Sequence, residues 1–447
     1  MAIISYLNKI TGICIFFWIT SNINGFRVVI DPGHGGRYME PESVYGDKYD
    51  PDAAGFLEGY RPGASVSGLD ENEDVFAIAL LVKEFLDLTN TVEGRKKFHK
   101  ILKKYDPNVR IPDQAIEVFI SRKPGYRARY WEIDYDVNRD YRLYDHHDLI
   151  TNTPVEGVIS RINQLHPELV VSLHLTGGNP DKLGGLSSVI TPAYNTYQYA
   201  IDYVTSSKEN RKIVQQTFLK GAYGSWFTNK YERTPFEWFL CDSWIYFTGY
   251  WSQIDGLDPD GTKFRGFRQN MITWNYSDEE KSVGNPETPG HLKYFKPTGK
   301  FWEREKSDPE LWRRDAGPEG YGGDNLYASQ ELLRFIRKGL LVNSVKTPWS
   351  LPKIIAPYIS TWSVPTYVNA IAAFIELAYL NNPHDFARIE RNKKVHAEAI
   401  AVGIYSIFYG TKSQESARKK DLPWGTPVNF KKYMDYSKGN YFNLVRD

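Results

Sequence analysis

Four residues stand where side chains could do metal or acid–base chemistry. His34 lies in Asp31-Pro32-Gly33-His34-Gly35-Gly36, directly after the apolar run FRVVI at 26–30. The flanking glycines let the backbone turn sharply and leave the imidazole open to a cleft. Glu71 opens ENEDVFAIAL after Gly68-Leu69-Asp70, His174 ends the run LVVSLHL, and Glu376 ends AFIE. Two histidines and one carboxylate form a common catalytic zinc set, with the fourth position left for water. Zinc lowers the pKa of that water toward neutrality and polarises a carbonyl oxygen. A second carboxylate nearby can then act as general base and pass the proton to a leaving amine. Singly, each residue has a plainer reading. A histidine after a strand is more often structural, and a Gly-His-Gly-Gly loop is equally a tight turn.

Such residues need strand ends to hold them. FRVVI, IEVFI at 116–120 and LVVSLHL at 169–175 read as short buried strands, and AIAAFIEL at 370–377 is a further apolar run. Residues 73–88 place Val75, Phe76, Ala79, Leu80, Val82 and Phe85 at helical spacing. Residues 155–165, 325–341 and 394–408 also read as helices. Strands alternating with helices predict an α/β fold, a single twisted, mostly parallel sheet flanked by helices. In such sheets ligands bind at strand ends. Two stretches break the rhythm. One is turn-rich, at about 37–66. The other, 176–345, is rich in Gly, Pro and Tyr and carries seven of the 12 Trp, a long aromatic-rich insertion.

The chain has 447 residues and a formal net charge of +1, from 55 Lys+Arg against 54 Asp+Glu, which argues against nucleic acid as a partner. Hydrophobic residues at 41% and charged residues at 24% give a globular composition. Aromatic content of 15% is more than one ordinary core hides. Lys9, the apolar run ITGICIFFWI at 10–19 and the following TSNING read as an export signal over 1–25, too short to span a bilayer. No other stretch is apolar and long enough to span, so no transmembrane segment is expected in the mature chain. Cys14 falls inside the signal and leaves Cys241 alone. That leaves no internal disulfide and no zinc–thiolate centre.

Five segments, in order, carry a resemblance. VVIDPGHGG resembles the opening motif of the zinc-dependent N-acetylmuramoyl-L-alanine amidases of the amidase type 3 family. GLDENEDVFAIAL is similar to that family's second motif, a glutamate followed by a helix. Phe119-Ile120-Ser121-Arg122 resembles its strand ending in Leu-Thr-Arg, and RINQLHPELVVSLHL its segment ending Ser-Ile-His. FIELAYLNNPHDFARI is similar to the segment that carries the family's catalytic glutamate. Five segments in one order are far more specific than a lone short motif.

The resemblance implies that His34, Glu71 and His174 bind zinc and that Glu376 is the general base and acid. Glu73 competes with Glu71, and the spacing to Ala77-Ile78-Ala79-Leu80 favours Glu71. The implied substrate is the amide between N-acetylmuramic acid and L-alanine in peptidoglycan, which places the protein in the periplasm or cell envelope. A regulatory activator protein is an expected further partner. The implied organisation is a catalytic domain at 26–410, interrupted at about 37–66 and 176–345, followed by a tail at 411–447. Asp31 and Asn382 are expected to support the site or cap turns. Arg122 and Arg161 are expected either to touch substrate carboxylates or to brace the scaffold. The long insertion is expected to rim the cleft, where its aromatic rings could stack on sugars or form a small core. Two alternatives remain: a wall-binding protein with an inactive amidase fold, and a zinc peptidase of the same fold acting on another amide. His146-His147, between Asp145 and Asp148, reads as a solvated loop. His99, His166, His291, His384 and His396 read as surface or packing residues.

Overall fold

The computed structural model describes residues 25–50, 55–58, 60–124, 136–148, 151–177, 184–190, 320–343, 351–355, 357–359, 364–412 and 424–434. The expected export signal, the tryptophan-rich stretch within 191–319 and much of the tail lie outside the described residues.

A six-stranded sheet organises the rest. Its strands are β1 (Phe26–Pro32), β2 (Ile116–Ile120), β3 (Leu169–Thr176), β4 (Ser187–Ile190), β5 (Tyr358–Ile359) and β6 (Ile371–Tyr379). Their order across the sheet is β5-β4-β6-β3-β1-β2. The β6-β3-β1-β2 block is parallel, β4 runs antiparallel to β6, and β5 is parallel to β4. The sheet is therefore mostly parallel, as the alternation of strands and helices predicts. Seven of the eight residues of β3 are buried. A strand so buried must be covered on both faces, as parallel strands are.

The main helices are α1 (Glu71–Asp87), α2 (Val92–Tyr105), α3 (Val158–Gln164), α4 (Tyr321–Val342) and α5 (Pro383–Tyr409). Helix α5 packs against α1 and α4, α4 packs against β6 and β4, and α1 packs against β2 and β3. Small residues of α5 meet large ones of α4: Ala399 and Gly403 of α5 and Leu332, Phe335 and Ile336 of α4 are all buried. A side chain at Gly403 would press on Leu332, so the two helices approach closely there. Strand β4 and helix α4 fall within the stretch 176–345, yet both are parts of this layered core. The last described segment also packs on it, with Phe430 stacked on Phe408 at 5.0 Å between centroids. No helix among the described residues is long and apolar enough to cross a membrane.

The chain visits β1, then β2 on one side of it, then β3 on the other. The point where the strand order reverses opens a crevice at the carboxyl ends of β1 and β3, the usual ligand position in open α/β sheets. Register adds a second constraint. Asp31 of β1 stands opposite Ser172 of β3, Phe374 of β6 opposite Ser172, and Glu376 opposite His174. Side chains two apart on a strand share a face, so Asp31, Ser172, His174, Phe374 and Glu376 project from one face of the sheet.

Candidate metal centre

His34, Glu71 and His174 meet at that crevice. One donor atom from each lies within 4.8 Å of the others. His34 follows β1 with a left-handed backbone (φ 62), a conformation a non-glycine residue adopts only where its surroundings enforce it. Its Nδ1 hydrogen-bonds the Arg61 carbonyl at 3.0 Å. A carbonyl only accepts, so Nδ1 carries the hydrogen and Nε2 keeps the lone pair. That Nε2 lies 3.5 Å from Glu71 Oε1. His174 Nδ1 is 3.2 Å from the same oxygen, and its ring stacks on Phe374 at 4.0 Å and 11°.

Glu71 sits in the first turn of α1, where the helix dipole favours an anion. Its Oε1 accepts from the Leu175 amide (2.8 Å) and its Oε2 from the Ala64 amide (2.7 Å). Burial alone would raise this carboxyl. The charges that His34 and His174 carry when protonated, the hydrogen bond from His174 and the Ala64 amide outweigh burial and hold it down at about 2. Glu73, two positions round the helix, is exposed. Glu71 is thus the carboxylate that meets the histidines. Burial pushes His174 down, toward the neutral ring that a metal needs in a ligand. Three preformed donors, two imidazole nitrogens and one carboxylate, suit zinc.

Glu376 lies beside this set, paired in register with His174. Its Oε2 is shut off from solvent and has no hydrogen-bond partner among the described residues. Burial pushes the carboxyl well above the usual range, and the charge of Glu71 pushes it further. A buried carboxyl oxygen left unpaired costs stability, so its place beside the donor set points to chemistry rather than packing.

Two main-chain supports were not legible in the sequence. The segment that closes the turn-rich stretch 37–66 supplies both the Arg61 carbonyl to His34 and the Ala64 amide to Glu71. Arg122 is buried and donates to the carbonyls of Pro32 (2.7 Å), Gly33 (3.2 Å), Asn72 (2.7 Å) and Lys123 (3.0 Å). It clamps the His34 loop to the start of α1. Arg161 likewise donates to the carbonyls of Glu156 and Asp140. Asn382 caps α5, accepting from the His384 and Asp385 amides. Asp31 accepts hydrogen bonds from Ser121 (2.5 Å) and Ser172 (2.7 Å).

The His146 expectation needs correcting. His146 is 2% exposed, not solvated, and Arg142, fully buried above the Phe56 ring at 4.0 Å, shares its pocket. Burial and the Arg142 charge push His146 down to about 4. A neutral histidine beside an arginine is a poor cation site. His396 is also buried, as a packing residue, and is pushed down to about 4 by burial and by Arg388.

Gly33 explains how close the loop and β3 come. A β-carbon there would overlap the His174 imidazole. Gly33→Ala must displace either the ring or the loop that presents His34. We expect a loss of stability of about 1–3 kcal/mol from overpacking. We also expect weaker zinc binding, read by thermal unfolding and zinc titration together. Unchanged zinc affinity would mean that the two ligand loops need not approach this closely.

Comparison of the sequence with protein-family models and with curated proteins finds no match. Solved structures give distant likenesses. The N-acetylmuramyl-L-alanine amidase Ami1 of Mycobacterium smegmatis is 14% identical, with a TM-score of 0.33, over 86% of this chain and 97% of that one. Ami1 of Mycobacterium abscessus is 12% identical, TM-score 0.34, over 86% and 98%. The N-acetylmuramoyl-L-alanine amidase of Clostridium difficile 630 is 12% identical, TM-score 0.31, over 86% and 96%. At these values function must be read from this chain's own residues.

Proposed function

We propose that this protein is an exported zinc amidase that hydrolyses the amide between N-acetylmuramic acid and L-alanine in peptidoglycan. The observation that carries the reading is a pair of neighbours. A His34–Glu71–His174 donor set lies at the sheet's switch point, and half-buried Glu376, whose Oε2 is enclosed and unpartnered among the described residues, stands in register beside it. The five ordered segments in the sequence supply the substrate class.

When bound, zinc would lower the pKa of water and polarise the scissile carbonyl. His34, Glu71 and His174 hold it. Glu376 takes a proton from the attacking water and delivers it to the departing amine nitrogen. The raised pKa of its carboxyl suits both halves of that task, since a group that must take and then give a proton works best near the operating pH. Burial of Glu71 and His174 keeps bulk water from competing with these contacts.

The test is digestion of purified sacculi by the full-length protein, with products read by mass spectrometry. Free stem peptides over intact glycan are the expected outcome. Shortened stems would make the protein a zinc peptidase. Binding to sacculi without any release would make it a wall-binding protein.

A further inference from the structure

Zinc ligands that are histidines need their second ring nitrogen held, because that bond decides which nitrogen offers the lone pair. For His34 the holder is a main-chain carbonyl. For His174 the arrangement is less direct and follows from counting hydrogens. The Nε2 of His174 lies 3.2 Å from Ser172 Oγ. A serine hydroxyl has one hydrogen to give. Ser172 gives it to Asp31 Oδ2 at 2.7 Å, while Ser121 occupies Asp31 Oδ1 at 2.5 Å. Ser172 and Asp31 are both buried, 1% and 3% exposed, so neither has bulk water as a substitute partner.

We propose that Ser172, oriented by Asp31, is the positioning residue that fixes the His174 tautomer. With its hydrogen committed to Asp31, Ser172 can only accept from the imidazole, so when zinc takes the place between Nδ1 and Glu71, Nε2 carries the hydrogen and Nδ1 keeps the lone pair; without metal the Glu71 carboxylate, which only accepts, competes for that one hydrogen. Nδ1 is the nitrogen that faces Glu71. The two histidines thus present opposite nitrogens, His34 by Nε2 and His174 by Nδ1. The register explains why the relay forms. Asp31 and Ser172 are opposed across β1 and β3, and His174 is two residues farther along the same face of β3. Stacking on Phe374 fixes the ring plane in which both nitrogens lie. Both the use of Nδ1 as a ligand and the protonation of Nε2 refer to the zinc-loaded protein and rest on the zinc reading above.

Two measurements on the full-length protein test it. Selective ¹⁵N-histidine labelling, with His174 assigned by loss of its signals in His174→Gln, reports the ring tautomer through long-range proton–nitrogen correlations. Competition with a chromophoric chelator reports zinc affinity. The expected results are a protonated Nε2 in the zinc-loaded parent, and zinc binding weaker by about 10–100-fold in Ser172→Ala, the usual effect of losing a ligand's outer partner. Asp31→Asn should also weaken binding, but add little when Ser172 is already alanine, because the two act in series. An unprotonated Nε2 in the zinc-loaded parent overturns the relay, as does Ser172→Ala with undiminished zinc affinity and a circular-dichroism spectrum like the parent's. A parent that binds no zinc removes the zinc reading, and the relay with it.

Discussion

Glu71→Gln will lose zinc under conditions in which the parent retains it, and will release no stem peptides from sacculi. The loss should exceed the roughly 10–100-fold that follows removal of an outer partner, because the negative ligand itself is gone. Gln is nearly isosteric, so the contrast isolates charge. The carboxylate oxygens of Glu71 accept from Leu175 and Ala64 and face both histidines. A carboxamide has only one acceptor oxygen, so its –NH₂ must face a group that also donates. The same variant should alter stability in the metal-free protein. The Glu71 carboxyl is held down at about 2, below its unfolded value, so it stabilises the fold above the ordinary carboxylate range. That contribution is lost as pH falls from near 4.5 through about 2. Denaturant titrations of parent and variant should therefore diverge at neutral pH and converge toward pH 2. A variant that retains zinc and activity would remove Glu71 from the ligand set.

How much of this was legible differs from residue to residue, for physical reasons. IEVFI has the same bounds as strand and as run, because β-branched and aromatic residues suit this edge strand, with Ile116 and Val118 turned into the core and Glu117 on the other face. Strand β4, SSVI, carries no such signal. Its serines are buried, and its place comes from pairing with β6, far away in sequence. Helix α2 hides in the charged run VEGRKKFHKILKKY, although Phe98, Leu102 and Tyr105 line its buried side and Thr91 caps it. The donor set was legible because ligand chemistry restricts residue type. The choice of Glu71 over Glu73 became definite only when the helix turned one inward and the other outward. Arg61 and Ala64 act through main-chain atoms, which any residue type would supply, so the sequence held no signal for them. Ser172 could be read only through register. Its hydroxyl matters because Asp31 lies across from it on the neighbouring strand.

Glu376→Gln will retain zinc yet lower turnover by about 10²–10⁴-fold, the range general acid–base catalysis supplies. The pairing of Glu376 with Glu71 is the reason to expect that separation of effects. Two carboxyls share one site, one held down at about 2 by histidines and amides, the other pushed up by burial and by its neighbour's charge. Environments that drive two such groups apart divide the work: the first stays ionised as a ligand, the second is poised to exchange a proton. A stability signature follows with a definite sign. In the metal-free protein the folded pKa of Glu376 lies above its unfolded value, so folding is penalised wherever the group must be ionised. The penalty is absent below the unfolded value and grows as pH rises through the folded one. Metal-free Glu376→Gln should therefore be more stable than metal-free parent at pH 8, and the gap should close toward pH 4. Zinc should narrow it too, since a cation beside Glu376 favours the carboxylate. Thermal unfolding across that pH range, with and without zinc, reads both effects. Equal stability at every pH, or full turnover in the variant, would mean that Glu376 is not the proton carrier.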